Sequence, residues 1–172
     1  MAMTVVSYIQ RSISDVNTTL AQDVKPLTAQ QLAWKPAPQA GSIGYIFWHF
    51  MRTQDELISG LAKKPSVWLD EKWFEKLGMD QKTSGVGYKA PDIDKAAAMP
   101  LATVMQYAER VAANTNSYME SLKESDLEIA PNPERPNRTV VVNLRSFVIA
   151  HGWWHDGEIK YLKGLQDMPF AY

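Results

Sequence analysis

With 172 residues, 45% of them hydrophobic and 22% charged, the chain has the size and composition of one globular domain with a substantial core. A formal net charge of −1 and the lack of any long basic run exclude the electrostatic footprint of a nucleic-acid binder. The chain holds no cysteine, which excludes disulfides, thiolate zinc sites and a protein thiol nucleophile.

The first residues show no basic stretch followed by an apolar one, so no secretory signal is read there. The longest apolar run, from Ile43 to Met51, contains a histidine and is far too short to span a bilayer. A cytoplasmic protein acting on a small molecule, with neither nucleic acid nor membrane as partner, is the resulting expectation.

Residues 4–25 form the first predicted helix, because Val5, Val6, Ile9, Ile13, Val16, Leu20 and Val24 recur at steps of three and four. Pro26 ends it. Thr28 followed by Gln31 is a capping-box pattern and predicts one short helical turn. Pro36, Pro38 and Gly41 then mark a loop. Ser42 is a good N-cap for a second long helix over 43–63, whose apolar face includes Ile43, Ile46, Phe47, Phe50, Leu57, Ile58 and Leu61. His49 sits among these, with Thr53 and Glu56 on the same side and Arg52 slightly off it.

Residues 64–100 are the least regular. A helical piece from Val67 to Leu77 carries Trp68, Trp73 and Phe74, and the remainder, with Gly78, Gly85, Gly87 and Pro91, reads as loop. So long a connection is usually functional or disordered. Two readings are open for it: a lid, and a crossover tied down by its tryptophans. A third long helix over 100–123 begins with Pro100 near its first position. The proline-rich stretch 124–138 is a loop. The last helix begins around Val140 to Asn143 and runs to Leu162 or Lys163, with Gly164 placed just past its end. Its apolar stripe reads Leu144, Phe147, Val148, His151, Trp154, His155, Ile159 and Leu162. Four long amphipathic helices and no convincing alternating strand predict an all-α fold: a four-helix bundle of one domain over 1–172, with a long, partly helical crossover between helices 2 and 3.

His49, His151 and His155 are the only histidines. The latter two are four residues apart on a predicted helix, which stacks their side chains on one face and lets both imidazoles reach one ion. A lone interior histidine is ordinarily a satisfied core residue. Three of them, each on a predicted inward stripe, leave a metal site and a set of core histidines as the competing readings. The pair is not a metalloprotease motif, since Gly152 stands where that motif needs a glutamate base. Three imidazoles without a carboxylate would leave a coordination position open, the catalytic rather than the structural arrangement for zinc. Nickel, iron and copper accept the same donors. Glu158 and Glu56 are candidate acceptors behind the ligands, with a solvated helix edge as the alternative for each.

Several stretches in this order resemble the DinB/YfiT-like family of metal-dependent four-helix bundles. They are Pro26–Pro36, Ser42–Asp55 with its Trp48-His49-Phe50, Thr83-Ser84-Gly85-Val86-Gly87, and His151-Gly152-Trp153-Trp154-His155-Asp156-Gly157-Glu158-Ile159. The resemblance covers essentially the whole length. It implies that His49, His151 and His155 are the ligands of a divalent transition metal, zinc or nickel foremost, in a homodimeric bundle. Asp156 departs from the basic residue frequent there, and lying beside the site it could alter the charge preference for substrate. Relatives include bacillithiol- and mycothiol-dependent S-transferases, so the resemblance implies a metal-dependent enzyme that activates a low-molecular-weight thiol. With no cysteine in the chain, that thiol would arrive as a cosubstrate. A metal-dependent hydrolase and a non-catalytic, stress-associated metal-binding bundle are the alternatives.

Overall fold

The computed structural model describes residues 3–83 and 90–169, and among these no strand is found. Its long helices are α1 (Val5–Val24), α3 (Ile43–Ala62) and α7 (Leu101–Ser121), together with a last helix made of α8 (Val140–Leu144), a π-helical turn (Arg145–Ala150) and α9 (His151–Gly164). Shorter pieces are α2 (Ala29–Ala33), α4 (Val67–Asp70), α5 (Trp73–Lys76) and α6 (Ala90–Ala97), and a 3₁₀ turn spans Glu124–Glu128. The long helices form an all-α bundle in which α3 packs against α7 and α9, and α1 packs against the same two from the other side. Val16, Leu20, Ile43, Trp48, Phe50, Ile58, Tyr107, Val111, Leu144, Val148 and Ile159 fill the space between them.

The helix starts follow the caps in the sequence. Thr28 accepts from the Gln31 N–H, while the Gln31 side chain accepts from the Thr28 N–H, closing the expected capping box of α2. Ser42 accepts from the Tyr45 N–H at the head of α3, and Lys63 at φ 54° ends that helix in a left-handed turn. Pro100 is the N-cap of α7 rather than its first helical residue.

Four expectations are corrected. The Val67–Leu77 piece is two short helices, broken where Lys72 adopts φ 53°. Residues 90–97, read as loop because of Pro91, are helical: proline is tolerated in a first turn, where its missing N–H has no intrahelical partner. Gly164 is inside α9, and the left-handed turn beyond it falls on Asp167. The apolar stripe of the last helix is rotated from the predicted one. Trp154 is 69% exposed and Phe147 36% exposed, whereas Leu144, Val148, Gly152, Asp156, Ile159 and Lys163 are buried.

This rotated face has two causes. Gly152 brings α9 against its neighbours: a Cβ added there would lie 2.2 Å from Val16 Cγ1 and 2.9 Å from Phe50 Cε2. The two charged residues on the face are paired, Asp156 with Lys160 Nζ at 2.8 Å and Lys163 Nζ with Asp23 at 2.6 Å. Burial of charge is sustainable only with such partners. Asp156 is therefore committed to α9's packing face and is not a wall of the histidine cluster.

The described first part of the crossover, 64–83, is held by two buried residues of α3. Asp55 accepts from the Val67 and Trp68 N–H groups at 2.9 Å each, capping α4, and from the Tyr107 hydroxyl at 2.8 Å. Arg52 lies over the Trp68 ring at 4.7 Å and donates to the Thr83 carbonyl through Nε and Nη2. Trp68 and Trp73 are buried, so this part packs as core, as in the tied-crossover reading. The Ser84–Gly87 portion of the glycine-containing loop lies outside the described residues.

Candidate metal centre

Helix α3 supplies His49 and α9 supplies His151 and His155. The three sit on the shoulder of the helix contact rather than at its centre, and all three are half-buried. The Gly152 contact sets their separation, because the helices can approach only where α9 lacks a side chain. One ligand nitrogen from each ring lies within 4.8 Å of the others. The Nε2 atoms of His151 and His155 are 2.8 Å apart. The His49 ring meets the other two nearly edge-on, with centroids at 5.3 and 5.2 Å.

Glu158, one turn after His155, places Oε2 2.7 Å from His155 Nδ1. A carboxylate there accepts the Nδ1 proton and leaves the Nε2 lone pair directed into the cluster. Its own pKa is lowered, first by that hydrogen bond, and burial only partly opposes this; the charges of His155, His151 and His49 lower it further. Glu158 is thus an anion at neutral pH beside three imidazoles. His151 is shifted to a pKa of about 4, first by burial and then by the neighbouring His155. The Phe147 carbonyl acts weakly the other way, since His151 Nδ1 is buried without a hydrogen bond of good geometry. His151 is therefore neutral, as a ligand must be.

The structure separates the other candidates. Glu56 does not back the histidines: Arg52 Nη2 donates to its Oε1 at 2.7 Å. Thr53 turns its hydroxyl to its own helix, donating to the His49 carbonyl at 3.0 Å. Sequence reasoning passed over Tyr45, whose ring stacks on His49 with centroids 5.7 Å apart and planes 16° from parallel. Burial, and then the charge of Glu158, raise its pKa, so the phenol keeps its proton beside the cluster. Its position four residues before His49 was the available signal.

Three imidazole nitrogens converging within one ion's reach, one of them oriented by a carboxylate, fit a divalent transition metal. The fold and this cluster together define a class of helical bundle with a three-histidine centre between two helices. The DinB superfamily profile matches residues 13–159, and the chain belongs to that superfamily. Among solved structures, the chain is similar to a conserved protein from Enterococcus faecalis at 25% identity and a TM-score of 0.82, covering 95% of this chain and 98% of that one. No curated protein matches it.

Proposed function

We propose that the protein is a metal-dependent enzyme that activates a low-molecular-weight thiol for S-transfer. The observation that carries this is the donor set: among the described residues, three imidazoles and no carboxylate supply the clustered ligand atoms, which leaves room in the coordination sphere for a substrate. His49, His151 and His155 would hold the ion, zinc or nickel foremost. When bound, a divalent metal supplies the charge that keeps a coordinated thiol in its nucleophilic thiolate form. The chain's own residues do the rest. Glu158 holds the His155 Nδ1 proton, and Tyr45 covers one face of His49. The absence of cysteine makes a cosubstrate thiol the natural nucleophile. The resemblance to thiol transferases favours this chemistry over hydrolysis.

The test has two parts. Protein purified without a histidine tag is analysed for metals, and uptake of zinc and nickel is compared with that of His155→Ala. Stoichiometric metal that the variant cannot hold is expected; no metal and no uptake would end the metal reading. Activity toward alkylating electrophiles is then measured with and without added thiol. Turnover only with thiol is expected, whereas a thiol-independent rate points to hydrolysis.

A further inference from the structure

Below the histidines, the same two helices frame a second feature. On α3, one face runs from His49 through Thr53 to Glu56, Leu57 and Gly60. Glu56 lies seven residues past His49, about 10 Å along the helix axis. On the last helix, Phe147 in the π turn precedes His151 by four residues. Between these lower turns and the loop before α8 opens a cavity of about 310 Å³, whose lining includes Leu57, Leu61 and Phe147. Arg135 and Arg138 of the loop line it as well.

The two guanidinium groups are exposed, and neither makes an ion pair with a carboxylate of the described residues. That of Arg138 is nonetheless held in place. Arg138 stacks over the Phe147 ring at 4.9 Å, and Asn143 Nδ2 donates to the Arg138 and Thr139 carbonyls at 3.0 Å each, fixing the loop on the helix start. Among the described residues, the acid lining the cavity is Glu56, and it is already paired with Arg52 at 2.7 Å. The cavity therefore presents two cations with no ion-pair partner among the described residues beside apolar side chains, about one turn from His151 along the last helix and two turns from His49 along α3. Arginine forks match carboxylate and phosphate oxygens.

We infer that this cavity, through Arg135 and Arg138, binds an anionic group, a carboxylate or a phosphate, carried by the substrate whose reactive end lies at the three histidines. The assignment of the reactive end rests on the metal–thiol reading above; the anion site itself does not. A substrate bound this way spans the seam, with its charge at the arginines and its reactive end at the histidines, and an uncharged analogue of equal length loses the lower anchor.

The cobalt-substituted protein provides the test, since a thiolate entering the coordination sphere produces a charge-transfer absorption. Mercaptoalkanoates from mercaptopropionate to mercaptoundecanoate are titrated against mercaptoalcohols of the same chain lengths. Above a threshold length, the acids are expected to bind about tenfold more tightly than the alcohols. Arg135→Ala/Arg138→Ala should remove that difference while leaving the alcohols' affinity unchanged. Equal affinities at every length, or an acid preference that survives the double variant, would overturn the inference. A second arm does not depend on the metal. Chelator-treated protein is titrated with octanoate, octyl phosphate and octanol, following amide shifts of residues 131–147 by NMR. Saturable binding of either anion but not the alcohol, lost in the double variant, is expected; absence of that pattern counts against the anion site even if cobalt binds. A protein that takes up no cobalt but passes this second arm would retain the anion site and lose the metal reading. The two anions together identify which headgroup the site prefers.

Discussion

At the scale of single residues, the cluster depends on which ring nitrogen carries a proton. Glu158 holds the Nδ1 proton of His155, so Glu158→Gln keeps the shape but replaces an ionic acceptor with a neutral one. Loss of such a partner typically weakens metal affinity about 10–100-fold. That is the expected change in zinc affinity by competition with a chelator, with helicity unchanged. An unchanged affinity would show that Glu158 is only a solvated helix edge. His151 gives a second handle. Its pKa in the folded metal-free protein is lowered from 6.5 to about 4, by burial first and His155 second. Between those values the unfolded chain takes up a proton that the folded chain refuses. Stability rises with pH wherever the unfolded state binds more protons. Hence the metal-free protein should lose stability as pH falls from 6.5 toward 4, with no loss from this source above that window. Urea midpoints across it should fall more steeply for the wild type than for His151→Gln, and parallel slopes would contradict the assignment.

At the scale of elements, two glycines of α9 make opposite demands. Gly152 sits where a Cβ would come within 2.2 Å of Val16 Cγ1, a β-branched side chain with no freedom to swing away. Gly157 faces open space. Gly152→Ala should therefore cost about 1–3 kcal/mol by overpacking and push α9 away from α1 and α3. Gly157→Ala should stabilise by about 0.5–1 kcal/mol, since it only removes backbone freedom from the unfolded chain. Val16→Ala should rescue the first variant in a double-mutant comparison by urea unfolding. The same glycine explains what the sequence did and did not disclose. The long helices and their caps were legible because apolar spacing and Thr or Ser signals act locally. The His49, His151 and His155 placement was legible for the same reason. The buried face of α9 was legible only in part: Ile159 and Leu162 belong to the predicted stripe, but Gly152 and the ion-paired Asp156 and Lys163 are residues that hydropathy treats as solvent-facing. The π turn at Arg145–Ala150 was equally hidden, since the extra residue it inserts follows from packing and not from composition. Asp55 escaped notice as well: an acid in an apolar helix becomes intelligible only once α4 and Tyr107 are seen to donate to it.

At the scale of the whole molecule, the cluster joins helices distant in sequence, with His49 on α3 and the other two on α9. An ion held there would cross-link α3 and α9 in the folded state only, because the unfolded chain cannot converge three imidazoles at once. Ligand binding to the folded state alone stabilises by RT ln(1 + [L]/Kd), about 2.7 kcal/mol at a hundredfold excess over Kd. For a domain of this size each kcal/mol raises Tm by about 2–4 °C. Metal removal should therefore lower Tm by roughly 5–10 °C under those conditions, and readdition of zinc or nickel should restore it. The size of the shift should follow metal concentration logarithmically, which separates binding from a general effect of the salt. His49→Ala and His155→Ala should each abolish the shift, although one lies on α3 and the other on α9. A shift that survived loss of His49 would mean that the α9 pair holds the ion alone, and that α3 contributes packing without a ligand. Arg135→Ala/Arg138→Ala should leave the metal-dependent shift intact, because the lower cavity shares no side chain with the imidazoles. Thermal unfolding of these variants, with and without metal, therefore resolves the two ends of the α3–α9 seam as separate sites.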